Sequence, residues 1–195
     1  MLLTHAQPAI LLPLPPLARY LSFRLKEPRA LTDCLIKLRD SPLLRKNEQV
    51  VGLGQTLVAA LNGQIAGLKR APAMTAPGLS LAEKAEVLWI WLRGDDRGDL
   101  LHRSRALTAL LAPALAVEEI LDAFQYQQGR DLSGFEDGTE NPVGEKAIEV
   151  AIVDTAHPRL AGSSFVATQR WQHDFARFDA MSKTAKNDAI GRHQQ

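Results

Sequence analysis

Val87-Leu88-Trp89-Ile90-Trp91-Leu92 is an unbroken apolar run. Side chains of a strand alternate between two faces, so a run that is apolar at both parities needs cover on both sides. It reads as a central strand, and the neighbouring segments must be arranged to cover it. Upstream, Tyr20-Leu21-Ser22-Phe23-Arg24-Leu25 alternates, with Leu21, Phe23 and Leu25 on one face, which predicts a strand with one buried side. Leu31, Leu35 and Leu38, with Cys34 beside them, recur at helical spacing up to Asp40, and Ser41-Pro42 ends that helix. Val50 to Gly54 is a short second strand whose glycines permit close approach of another backbone or a ligand. Residues 62–80, rich in Gly, Ala and Pro, read as a long connection.

Downstream of the central run, Arg93-Gly94-Asp95-Asp96-Arg97-Gly98 is expected to be a charged surface turn with ion pairs. Asp99 is the expected N-cap of a helix over Leu100 to Leu111, with Leu100, Leu107, Leu110 and Leu111 inward and Pro113 as its stop. Ala116 to Tyr126 is strand or helix, and periodicity does not decide between them. The order strand, helix, strand, strand, helix, strand over about residues 18–128 is the split βαβ pattern of a ferredoxin-like α+β sandwich. Its two helices belong on one face of a four-stranded sheet, with Leu21 and Trp89 buried.

The rest of the composition excludes function classes more than it selects them. The formal net charge of +1 gives no electrostatic footprint for nucleic acid. The single cysteine, Cys34, excludes an internal disulfide and suits a reducing compartment; its apolar helical setting makes it a core residue. No apolar span is long enough to cross a membrane as a helix. The apolar start lacks a basic n-region, and Pro8, Pro13, Pro15 and Pro16 interrupt it. It reads as an extended segment lying on the domain, and a cytoplasmic protein is expected.

The second part of the chain opens on GRDLSGFEDGTENP, residues 129–142, with three glycines and four carboxylates. Asp-Gly and Asn-Pro are turn signals, and Gly134 and Gly138 bracket Phe135-Glu136-Asp137. A carboxylate held in such a loop can serve as a general acid or base. Equally, Asx-type turns with solvated acids account for the same residues. Ala147 to Val153 is expected as a further strand and Gly162 to Trp171 as a clearer one. A helix begins with Phe175, Phe178 and Met181 and runs to about Asp188. This is a second α+β unit begun and left incomplete. The expected division is residues 1–128 for the first sandwich and 129–195 for the loop and the start of the second.

GRDLSGFEDGTENP resembles the distal haem loop of the dye-decolourising (DyP-type) peroxidases, whose hallmark Gly-x-x-Asp-Gly is here Gly134 to Gly138. LWIWLRGDDRGDLLHRSRAL, GSSFVATQRWQHD and AIGR agree with it, and the set is similar to the intracellular bacterial branch, over about Gln7 to Arg192. The resemblance implies paired ferredoxin-like sandwiches of the dimeric α+β barrel type, with haem b in the second. It implies that Asp137 is the distal acid/base that moves the proton of hydrogen peroxide. Phe135, Glu136, Gly138 and Thr139 would line the haem edge, and Arg192 would meet a propionate. It also implies small organic electron donors such as dyes and phenols, a homo-oligomer and, for full-length relatives, an encapsulin shell. No nucleic acid or membrane partner is expected.

The family's proximal His lies beyond an Ile-Gly-Arg segment and its distal Arg later still; neither motif is matched here. His193 and His173 are the nearest substitutes. The chain as written is therefore expected to be truncated, holding the N-terminal two-thirds of the pattern and binding haem weakly. A haem or porphyrin binder of iron handling and a non-catalytic oligomerising fragment stand as the alternatives to a peroxidase.

Overall fold

The computed structural model describes residues 2–82 and 86–193. In chain order it contains β1 (Leu17–Leu25), α1 (Leu31–Arg39), β2 (Gln49–Leu53), α2 (Gln55–Ala60), β3 (Met74–Ala76), β4 (Leu79–Leu81), β5 (Leu88–Gly94), α3 (Arg97–Leu111), β6 (Leu115–Phe124), α4 (Glu145–Ala151), α5 (Phe175–Asp179) and α6 (Lys183–Ile190). The main sheet has the order β2-β5-β1-β6, with every neighbouring pair antiparallel. This is the ferredoxin-like α+β arrangement, with β5 and β1 interior as their apolar patterns require. The segment left open by periodicity is β6, a strand. The long connection carries a small hairpin, β3–β4, and the unpredicted helix α2 follows β2 directly.

One parity of β1 and β5 builds the core. Leu21, Phe23, Leu88, Ile90 and Leu92 pack against Leu31, Cys34 and Leu38 of α1 and Leu100, Leu107 and Leu111 of α3, all buried. Fully burying side chains of this size contributes roughly 1.5–3 kcal/mol each. The glycine reading of the β2 end holds at Gly54, where a Cβ would lie 1.6 Å from the carbonyl oxygen of Glu86. Only a residue without a side chain lets these two backbones approach so closely.

The other parity differs from expectation. Trp89 and Trp91 are half-buried, stacked on Tyr20 of β1 at ring distances of 5.7 and 6.0 Å. Trp89 therefore lies on the sheet face opposite the helices and not in the main core. The N-terminal segment is a strap across that face, as predicted, and contains short 3₁₀ turns at Leu2–Thr4 and Pro8–Ile10. Arg93 shares this parity and is no surface residue. It is 4% exposed, its guanidinium sits 4.7 Å over the Trp91 ring, and it donates to the carbonyls of Ala9, Leu12 and Pro13. Loss of water around it pushes its pKa below the usual arginine value. Gln7 holds the strap to the sheet edge: its Nε2 donates to Val51 O at 2.8 Å and its Oε1 accepts from Val51 N–H at 2.7 Å.

The turn after β5 also caps α3 differently from the sequence expectation. Asp96 is the N-cap, accepting from the backbone N–H of Asp99 at 2.7 Å, while Asp99 sits in the first turn and pairs with Arg45 at 3.1 Å. At the opposite edge, Arg19 of β1 grips Asp122 of β6 with N–O distances of 2.6 and 2.7 Å.

Beyond β6 the sequence expectations fail in a consistent way. Ala147 to Val153 is largely helix α4, with Lys146 and Glu149 paired at 2.8 Å. Gly162 to Trp171 has no strand; Gly162 and Ser163 instead exchange backbone bonds with Val153 at 2.9 Å. The single expected helix is two, α5 and α6, the second restarted by Ser182, whose hydroxyl accepts from Ala185 N–H. Strand pairing needs a neighbouring ladder, and among the described residues of this region none is present.

Candidate functional site

The acidic loop is closed by its own backbone. Gly129 and Arg130 N–H both donate to Tyr126 O, Asp131 N–H to Phe135 O, and Asp137 N–H to Gly129 O, each at 3.0 Å. The entry is tight: Gln127 and Gln128 both take left-handed backbone angles, φ 38° and 62°, uncommon for non-glycine residues. Gly138, at φ 71°, is a position where a side chain would also meet Asn141 Nδ2 at 2.7 Å. Phe135 anchors the loop. It is 1% exposed and meets Phe178 of α5 edge-on at 6.3 Å.

The carboxylates then separate by role. Asp131 makes the turn itself, accepting from Ser133 N–H at 2.7 Å. Glu136 is paired with Arg130 at 3.3 Å, and Arg130 also donates to Gly134 O at 2.8 Å. Asp137 is exposed, and among the described residues its carboxylate accepts only from the N–H of Gly138, at 2.7 Å. An ionised acid without a cationic partner keeps its lone pairs available for an incoming proton donor. The turn reading suggested by the sequence thus fits Asp131 and the ion-pair reading fits Glu136, while Asp137 and the exposed Glu140 carry no cation among the described residues, and of these two only Asp137 lines the cleft beside the loop.

Arg192 reaches this loop from the end of α6. Gly191 closes the helix in the left-handed conformation at φ 79°, with Gly191 and Arg192 N–H both donating to Asn187 O. The Arg192 side chain is thereby directed across to the loop, where Nη1 donates to Glu136 O at 2.8 Å and Nη2 to Thr139 Oγ1 at 2.9 Å. Phe135, Glu136, Asp137, Gly138, Thr139 and Arg192 are therefore gathered in one loop region, with Phe135 beneath the surface and Glu136, Asp137 and Thr139 on a cleft of about 330 Å³. The cleft is lined by Gln127, Gln128, Gly129, Arg130, Glu136, Asp137 and Thr139. Sequence reasoning missed Gln127, Gln128 and Arg130. The available signal was Arg130 itself, a cation inside an otherwise acidic loop.

Fit to a haem can be tested on these residues. A haem needs partners for its carboxylates, a proton acceptor for peroxide chemistry, apolar contact for its faces and a ligand for its iron. The cleft meets the first two with Arg130, Thr139 and Asp137, and Arg192 adjoins it through Glu136 O and Thr139 Oγ1. Its lining is polar, and neither expected substitute imidazole is part of it: His193 Nδ1 is 3.1 Å from Asn187 Nδ2, and His173 packs edge-on to Phe175. Among the described residues no group of three or more His, Cys, Asp and Glu side chains could hold a metal ion. The residues present fit the polar edge of the group and not its faces.

Comparison with known proteins gives concordant matches. The family model for the C-terminal part of Dyp-type peroxidases matches residues 128–195. A dye-decolorizing peroxidase of Rhodococcus erythropolis is 36% identical over 107 residues, covering 49% of this chain and 31% of the relative. Among solved structures, a protein of Shewanella oneidensis assigned to the DyP type superposes with a TM-score of 0.82 at 22% identity, over 97% of this chain and 66% of that one. A Rhodococcus jostii DypB variant in complex with heme gives 0.78 at 23%, over 95% and 64%. The encapsulated DyP-type peroxidase of Mycobacterium smegmatis gives 0.75 at 23%, over 97% and 65%. The chain thus spans about a third of the curated relative it matches and about two thirds of the solved structures. At these identities the superpositions show the fold.

Proposed function

We propose that this chain, whose residues 128–195 match the family model for the C-terminal part of Dyp-type peroxidases, is a member of the dye-decolourising peroxidase family, that its acidic loop is the peroxide-facing edge of a haem peroxidase site, and that Asp137 is the group that moves the proton. The carrying observation is the separation of roles in the loop. The Glu136 carboxylate is paired with Arg130, and Arg192 holds only its backbone carbonyl, whereas Asp137 has an exposed carboxylate without a cation on it. In this reading residues 129–195 belong to a second unit that receives haem b, and residues 1–128 are the sandwich that supports it.

When bound, the haem supplies the redox chemistry by which peroxide is reduced to water and an organic donor is oxidised. The protein's part is acid–base and electrostatic. A carboxylate oxygen of Asp137 takes the proton from one peroxide oxygen and returns it to the other as that oxygen leaves as water. Arg192 spends two of its five N–H donors on the loop, so its guanidinium can also meet a haem carboxylate, for which its planar fork is suited. Phe135 keeps the loop anchored, and Gly138 and Thr139 shape its rim. Dyes and phenols are the proposed donors, the cytoplasm the proposed compartment and a homo-oligomer the proposed assembly. An encapsulin-type shell is proposed for longer forms, in line with the encapsulated Mycobacterium smegmatis relative.

The test, in a form of the protein that haemin titration shows to bind haem, is peroxide-driven dye oxidation with Asp137→Ala beside the wild type. The Soret band of the variant should match that of the wild type, while its reaction with peroxide should be about 10²–10⁴-fold slower. A loss below about threefold would assign the proton to another group. Haem uptake without any peroxide-dependent turnover would favour a haem-handling protein instead.

A further inference from the structure

We infer that Arg192 is a positioning residue for Asp137, fixing the peptide plane from which that carboxylate projects. The purpose assigned to it rests on the peroxidase reading; the geometry does not. A peptide unit is rigid and planar, so bonds at its two ends fix its orientation. The unit joining Glu136 to Asp137 is held in this way. Its carbonyl oxygen accepts from Arg192 Nη1 at 2.8 Å, and its N–H donates to Gly129 O at 3.0 Å. Two residues on, the second Arg192 nitrogen binds Thr139 Oγ1 at 2.9 Å. Arg192 therefore brackets Asp137 from both sides without touching its carboxylate. Gly138, in the left-handed conformation at φ 71°, lies between the two grips.

The bracket is carried by a folded element. Arg192 follows the Gly191 cap, and its own N–H is bound to Asn187 O at 3.1 Å, so its direction is set by the end of α6. The contact joins residues 53 and 56 positions apart in sequence. Lysine, with a single nitrogen on a flexible stem, cannot hold a carbonyl and a hydroxyl in this forked way. An arginine at this position thus does more than add positive charge. It connects the folding of α6 to the placement of the acid that the proposed chemistry needs.

The experiment uses the 195-residue chain without haem, followed by amide NMR. Arg192→Ala should move the Asp137 and Gly138 amide signals and speed hydrogen exchange of the Asp137 N–H by about tenfold, the loss expected for its fixing bonds. Arg192→Lys should recover only a small part, and low, non-denaturing guanidinium should restore Arg192→Ala towards wild type. Thr139→Val, which leaves α6 intact, should move the Gly138 and Thr139 amides. Added to Arg192→Ala it should change nothing further, as two ends of one contact require. Amides of Asp137 to Thr139 that stay in place in Arg192→Ala, or a double variant equal to the sum of the two, would overturn the inference. Haemin titration separates the two readings. A wild type that takes up haemin yet shows no peroxide-dependent turnover, with loosened amides in Arg192→Ala, overturns the peroxidase reading and leaves the bracket standing. A haem-active wild type with unmoved amides does the reverse.

Discussion

Arg93 shows how far one residue's role can depart from its sequence surroundings. In Arg-Gly-Asp-Asp-Arg-Gly it has the composition of a solvated turn, yet it is the last but one residue of β5 and is covered by the strap. Its cover comes from residues 80 and more positions earlier, which local patterning does not reveal. Its Nε, like the Nε1 of Trp91, is buried without a partner among the described residues, so the site depends on the guanidinium contacts it does make. Arg93→Lys keeps the charge but loses the flat stacking over Trp91 and most of the carbonyl contacts. A cost of about 2 kcal/mol is expected, the range of a hydrogen bond to a charged group. Denaturant midpoints should report it, together with faster proteolysis between Leu2 and Pro13. A variant with wild-type values in both would deny the strap its anchor. The loop around Asp137 was legible as a turn for a different reason, because glycine-bounded acids are local signals. That the loop backbone would be gripped from α6 was not legible, since Arg192 reaches Glu136 O and Thr139 Oγ1 only through the fold.

Among the elements, those that could be read from sequence were those whose pattern reports burial. The doubly apolar β5, the alternating β1 and the helical stripe of α1 all predicted their place because the core they face is complete. α4 and the stretch from Gly162 to Trp171 were misread because β-like composition makes a strand only where a ladder partner exists. The pairing of β1 with β6 gives an element-level prediction. Hydrogen bonding to the Arg19 guanidinium holds the Asp122 carboxyl below its usual range. The folded pKa lies below the unfolded one, so as pH falls the unfolded chain takes up the proton first. The stabilisation is present above the unfolded value of about 3.9 and is lost as pH falls through the folded value. The Asp122 side chain is 62% exposed, so solvent screening keeps the contribution to about 1 kcal/mol at most. Wild type should exceed Asp122→Asn in denaturant stability at neutral pH, and the gap should close in acid. A gap independent of pH would show that the ion pair is not its source.

Taken as a whole, the chain has two unlike halves. The sandwich has a closed core on its helical face, while the region after β6 leaves large apolar side chains in water. Val143 is 81%, Trp171 75%, Val150 64% and Val166 60% exposed. Exposed apolar surface of this kind promotes association. Sedimentation of the 195-residue chain should show mass rising with concentration, and Trp171→Ser with Val166→Ser should reduce it. A monomer at every concentration would remove the exposed apolar surface as the basis for the proposed oligomer. The strap has a consequence of another sort, one of timing. Its grips are made across 44 residues at Gln7 and 84 at Arg93, and each must wait until β2 and β5 have already paired. Ordering the strap costs chain entropy over and above what the sheet has already spent on its own long-range pairings. The strap should therefore dock after the folding barrier and leave before the sheet melts, giving the domain a native state that breathes at one edge. The amide of Val51, held only by the Gln7 side chain on that edge, is where the breathing would register.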